Sequence, residues 1–181
     1  MRLFEYEAKE IFRRFDIPVP NGAIASSPDE VNLAVGKVGL PVAIKAQVLV
    51  GGRGKAGGIK SADSLEEAVE RVEELMSKKI RGHVVRRVLI EEKLDVKHEY
   101  YLGVTIDQLS GKPVVMFSTE GGVDIETIVE KKPESLASKK VSVSRGLFQF
   151  EARDICQQLG LHGSLLLKAS NILHSLYNVF N

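Results

Sequence analysis

Residues 41–58 read PVAIKAQVLVGGRGKAGG, and the order of their parts decides the architecture. The first ten, Pro41 to Val50, are rich in β-branched side chains and predict a strand with Lys45 inside it. The next eight, Gly51 to Gly58, hold five glycines. Glycine adopts positive φ at little cost, so successive backbone amides can turn toward one anion. A lysine on the preceding strand adds a positive charge to the same place. A short return strand is expected at Ile59-Lys60, which makes the glycine loop a flap between two strands.

Three phosphate motifs compete for this segment. A P-loop needs Gly-Lys-Ser/Thr opening a helix, but Lys55 is followed by Ala56, so the metal-binding hydroxyl is missing. Gly52-x-Gly54-x-x-Gly57 satisfies the dinucleotide fingerprint in letters, yet the next helix is expected only near Ser64. No helix N-terminus then faces the loop, and the match is accidental. Val42-Ala43-Ile44-Lys45 also matches the lysine strand of protein kinases. There the glycine loop precedes the strand, whereas here it follows, and His-Arg-Asp and Asp-Phe-Gly are absent. What survives is a lysine strand followed by a glycine flap, set against the simpler reading of a mobile hairpin loop with a solvated lysine.

Outward from this segment, helices and strands alternate. Ala8, Ile11, Phe12 and Phe15 make one apolar helical face, stopped by Pro18 and Pro20. An extended stretch is expected at Ala23 to Ala25, then a capping box at Ser27 to Glu30 opening a helix that ends at Gly39. Ser64 with Glu67 opens another helix, to about Met76. Strands are expected at Val84 to Glu92, Glu99 to Asp107 and Pro113 to Ser118. Tyr100, Leu102, Val104 and Ile106 share one face of the second. The tail reads as helix from Ala152 to Leu159 and from about Ser164 to Phe180. The mixture places the chain in the α/β or α+β class, with the polar stretch Glu92 to His98 as the expected lobe boundary.

Composition narrows the function. The 181 residues carry 25 basic and 24 acidic side chains, which removes the electrostatic argument for nucleic-acid or anionic-membrane binding. One cysteine, Cys156, makes neither an internal disulfide nor a cysteine-rich metal site and is expected to be a small buried hydrophobe. His83, His98, His162 and His174 share no metal-ligand spacing. The opening MRLFEYEAKE has no apolar signal-peptide core, and no apolar run approaches the roughly 20 residues that cross a bilayer. The expected compartment is the cytoplasm. Glu91 and Glu99 flank the polar hinge and have the acceptors that a nucleotide's base and ribose need. Their spacing alone favours ordinary surface carboxylates.

Four stretches together resemble the β subunit of succinate–CoA ligase (succinyl-CoA synthetase). They are Leu3-Phe4-Glu5-Tyr6-Glu7-Ala8-Lys9, Pro41 to Gln47, Gly51 to Gly58, and Ser118-Thr119-Glu120-Gly121-Gly122-Val123-Asp124-Ile125-Glu126. The glycine octet and the Ser-Thr-Glu-Gly-Gly segment form a specific pair, and Leu159-Gly160-Leu161 continues the likeness into the tail. The resemblance implies an α+β ATP-grasp fold over residues 1–181, incomplete at its C-terminal end. It implies a small nucleotide lobe near 20–93 and a second lobe of 1–19 with 94–181.

It also implies site roles. Lys45 is the phosphate-binding lysine, and Gly52, Arg53 and Gly54 form the loop that covers the phosphates. Glu91 lies beside the adenine, Leu94 meets the base through its backbone, and Glu99 binds the ribose. The implied ligand is ATP/ADP, with GTP/GDP as the alternative pair. The family's Mg2+ is held by an asparagine and an aspartate that are expected beyond Asn181, as is the CoA-ligase domain. No catalytic and no metal-ligating residue is therefore assigned. In the family a phosphoryl group passes through a histidine of the α subunit, the implied partner, to succinate, and CoA then forms succinyl-CoA. The isolated chain is expected to bind nucleotide weakly and turn over nothing. Related acetate or malate CoA synthetases that form a nucleoside diphosphate are the alternative, as is a non-catalytic nucleotide-binding module. The segment Ser118 to Glu126 is read as a turn opening a helix at Ile125 to Val129.

Overall fold

A computed structural model describes residues 2–122 and 125–181, as two compact units. The first joins Met1–Ile11 to Pro18–Asp95; the second joins Phe12–Ile17 to Val96–Asn181. The polypeptide is α+β, helices packed on antiparallel sheets.

The first unit contains most of helix α1 (Glu5–Arg14), then β1 (Gly22–Ala25), a 3-10 turn at Pro28–Glu30 and α2 (Val31–Val38). There follow β2 (Val42–Ala46), β3 (Ile59–Ala62), α3 (Leu65–Ser77), the short pair β4 (Lys79–Ile80) and β5 (His83–Val84), and β6 (Val88–Glu92). Strands β1, β6, β2 and β3 form one antiparallel sheet in that order. Alternation in β2 sends Val42, Ile44 and Ala46 into the core and leaves Ala43 and Lys45 on the opposite face. Ile44 stands opposite Ile90, both fully buried. Helix α3 closes that core with Ala68, Val72 and Leu75, spaced to form one stripe.

Capping explains where α3 begins. Ser64 Oγ accepts from the Glu67 amide at 3.2 Å, and Glu67 reaches back to the Asp63 amide at 3.0 Å. The box expected at Ser27 forms only by half. Ser27 makes no side-chain cap, the first turn is 3-10, and Glu30 takes the Ser26 amide at 2.7 Å. The strand expected to run to Val50 ends at Ala46; one bond in the ladder register beyond it, from the Gln47 amide to the Arg87 carbonyl, is the last of its run. The strand expected from Val84 begins at Val88. Residues 83–84 instead return onto 79–80 around Arg81 and Gly82, both at positive φ.

The second unit is a three-stranded meander, β7 (Tyr101–Ile106), β8 (Pro113–Ser118) and β9 (Leu136–Lys140). Helix α4 (Ile125–Lys131) precedes β9, and α5 (Gln149–Gln158) and α6 (Gly163–Phe180) follow it. Val115, Phe117, Ile155, Cys156, Leu173 and Tyr177 form its core. Tyr100, Leu102 and Val104 pack there as their shared face predicts, while Ile106 at the strand end is exposed. β9 escaped the sequence reading because its Leu-Ala-Ser-Lys-Lys offers only Ala137 to the core. Its lysines point to partners instead, Lys139 to Glu151 at 2.9 Å and Lys140 to Asp107 at 2.7 Å. Burial pushes the Cys156 thiol up to about 11, which fits a packing role. None of the described helices is long and apolar enough to cross a membrane.

Candidate functional site

Sheet register builds the site in the first unit. Glu91 on β6 stands opposite Ala43 on β2, so Glu91 and Lys45 are diagonal neighbours on the face turned away from the core. Lys45 Nζ donates to Glu91 Oε2 at 2.7 Å. Glu91 is 1% exposed, and a carboxylate so deeply buried needs partners for both oxygens. The other oxygen takes Lys9 Nζ at 2.5 Å. Gly22, opposite Glu91 on β1, makes the room: a Cβ there would lie 2.9 Å from Glu91 Cγ.

Helix α1 supplies the rest of the cluster. Glu5 and Lys9, one turn apart, pair at 2.9 Å. Glu5 Oε1 also lies 3.4 Å from Lys45 Nζ, and its Oε2 accepts from Arg53 at 2.7 Å. Burial alone would raise the Glu5 pKa, but the Lys9 hydrogen bond and the charges of Lys45, Lys9 and Arg53 outweigh it, holding the carboxyl at about 2. Lys45 is shifted upward: burial opposes its charge, yet the Glu91 hydrogen bond and the two carboxylates prevail. Lys45 is therefore a fixed cation at neutral pH.

The glycine loop is folded on itself. Gly52 and Gly57 take φ of 68° and 72°, values that favour glycine. The amides of Ala56, Gly57 and Gly58 donate to carbonyls of residues 52–54. Arg53 uses one guanidinium nitrogen for Glu5 and another for the Ala46 carbonyl at 2.9 Å. Arg81 steadies the loop entrance by donating to the Gly51 carbonyl at 3.0 Å. Beside the loop lies a cavity of about 370 Å³ lined by Arg2, Leu3, Glu5, Val48 to Gly51 and Arg53.

The structure thus brings Lys45, Arg53 and Glu91 into one cluster, with Gly52 and Gly54 on the attached loop. Leu94 follows β6 in irregular chain and is exposed. Glu99 belongs to the second unit, where it is exposed and packs against Gly121 and Gly122. A Cβ on Gly121 would sit 2.6 Å from the Glu99 carbonyl carbon, so only glycine permits that approach. Glu99, Thr119, Glu120 and Gly121 line a cavity of about 360 Å³ together with residues 96–98. The Ser118 hydroxyl accepts the Glu120 amide at 3.0 Å, and α4 starts at Ile125 where a helix was expected; Val123 and Asp124 lie outside the described residues. Among the described residues, no group of three His, Cys, Asp or Glu side chains is placed to hold a metal ion.

Sequence reasoning missed Glu5 and Lys9. They sit on the polar side of an amphipathic helix, where such a pair reads as a solvated surface contact. The available signal was the motif Glu5-Tyr6-Glu7-Ala8-Lys9 itself, quoted for its likeness but assigned no role.

Comparison with known proteins follows the same lines. An ATP-grasp domain family matches residues 2–181. The β subunit of ADP-forming succinate–CoA ligase from Methanocaldococcus jannaschii is 43% identical over 180 residues, 99% of this chain and 49% of that protein. A GDP-forming β subunit from Thermus thermophilus is 42% identical over 180 residues, 47% of its length. The chain spans about half the length of the curated relatives it matches. Among solved structures, a dinucleotide-forming acetyl-coenzyme A synthetase from Ca. Korarchaeum cryptofilum superposes with a TM-score of 0.75 at 24% identity, covering 99% of this chain and 81% of that one. That likeness supports the fold.

Proposed function

The chain belongs to the ATP-grasp domain family, and from that premise we propose that it is the nucleotide-binding portion of a succinate–CoA ligase β subunit. One observation carries the reading. Lys45 on its strand and Arg53 on the glycine loop converge on a single carboxylate, which is the arrangement two cations need to share one anion.

In this reading the chain's own residues bind and orient. Lys45, kept charged by Glu91, supplies a positive charge whose position is set by the sheet. Arg53, anchored on the Ala46 carbonyl, supplies a second from the loop, and Gly52 and Gly54 let the backbone come close to the phosphates. Glu91 serves by fixing Lys45, and the exposed chain after β6 offers the Leu94 backbone to the base. The donor set suits a polyphosphate, because both cations are donors without acceptor capacity. Bound nucleotide supplies a phosphoryl group; the residues here hold it and neutralise its charge. The succinate and CoA substrates and a partner subunit belong to the same proposal, supported by the names of the β-subunit relatives; Mg2+ and a cytoplasmic setting belong to it as what the resemblance implies.

Calorimetric titration of the 181-residue chain with ATP, ADP and GTP tests it. The expected result is weak binding, lost by at least tenfold in Lys45→Ala. Equal affinities for the two proteins overturn the reading.

A further inference from the structure

Glu5 bridges the two cations assigned above to the phosphates. Its two carboxylate oxygens link Lys45 at 3.4 Å to Arg53 at 2.7 Å, with Lys9 at 2.9 Å. Glu5 and Arg53 both line the cavity beside the glycine loop, so the bridge faces space rather than packed core.

Each cation that Glu5 touches has a second acceptor. Lys45 and Lys9 both hold Glu91, at 2.7 and 2.5 Å, and Arg53 holds the Ala46 carbonyl. Withdrawal of Glu5 would leave none of the three without a partner. Withdrawal of Glu91 would be another matter, since it is 1% exposed at side-chain level where Glu5 is 19% exposed. The cluster thus contains one carboxylate built to stay and one free to leave.

We propose that Glu5 is an internal competitor for the phosphate subsite: its carboxylate bridges Lys45 and Arg53 until a polyphosphate displaces it. The inference rests on the nucleotide reading above. Three cations face two carboxylates in the cluster as it stands. Without the Glu5 charge they would face one, and the field at Lys45 and Arg53 would favour an incoming anion more strongly. A positioning role predicts the opposite sign, because loss of a support weakens binding. The Ala46 carbonyl argues against that role, since it anchors Arg53 independently of Glu5.

The test is calorimetric titration with ATP and with inorganic tripolyphosphate, at low and high salt. The proteins are the unmodified chain, Glu5→Gln, Glu5→Ala, Glu10→Gln and Lys45→Ala. Both Glu5 variants should bind both probes at least about fivefold more tightly, the gain for one unit charge removed at about 4 Å with screening as strong as in bulk water. Added salt should shrink the gain. Glu10→Gln removes a charge from an exposed position on the same helix and should change nothing. A gain in affinity is not a result that a damaged fold produces. Unchanged or weaker binding by the Glu5 variants, with Lys45→Ala still impaired, overturns the competitor and leaves the nucleotide site standing. Lys45→Ala binding as well as the unmodified chain overturns the nucleotide reading itself, and no binding by any variant overturns both.

Discussion

Glu91 concentrates the cost of the site in one residue. It holds two ammonium groups from a buried position, so its removal strands charge in a poorly solvated place. Glu91→Ala should lower the unfolding free energy by about 3 kcal/mol, read from urea denaturation. Glu91→Gln should cost less, because the amide oxygen still accepts. A cost for Glu91→Ala below that of an ordinary surface substitution would contradict its burial. Glu5 adds a pH dependence. Its folded pKa of about 2 lies below its ordinary value of 4.5, so the native state binds its proton less readily than the unfolded chain. The stability it contributes is complete above the ordinary value and is lost as pH falls from about 5 toward 2. Glu5→Gln should flatten that part of the stability curve relative to the unmodified chain, and identical curves would remove the electrostatic account.

At the scale of elements, α3 shows how local signals and burial cooperate. Ser64 and Glu67 satisfy first-turn amides, and Ala68, Val72 and Leu75 fill the core at zero exposure. Ser64→Ala should cost about 1 kcal/mol, seen as a lowered thermal midpoint. Leu75→Ala should cost about 3 kcal/mol through lost contacts and the cavity left behind. The order of these two effects is the check: burial should outweigh the cap. The same logic explains why the sequence reading found α3 and missed β9. The helix announces itself by period and by cap. The strand shows one buried alanine and two lysines whose partners, Glu151 and Asp107, are far away in sequence.

For the whole molecule, two separate cores replace a single one. Ile44, Leu75 and Ile90 belong to one; Phe117, Ile155 and Leu173 belong to the other. Damage to one core should appear first as local opening of the elements built on it. Leu75→Ala should therefore raise amide hydrogen exchange in β1, β2, β3 and β6 more than in β7, β8 and β9, and Leu173→Ala should do the reverse. Equal acceleration everywhere would show that the cores open as one.

Much of this protein is legible along its chain. Period and turn chemistry located β2, α3, β7, β8 and the tail helices, because those signals lie within a few residues of chain. The lysine strand and glycine loop were legible for the same reason, and the likeness to succinate–CoA ligase β subunits rests on contiguous motifs. Which side chain holds which depends on the fold. Glu91 became a buried clamp on Lys45 because β6 pairs with β2 in one register, and Glu5 and Lys9 joined it because α1 supplies their side chains to that face. Those contacts link residues 40 or more positions apart, a distance over which neither propensity nor period carries information.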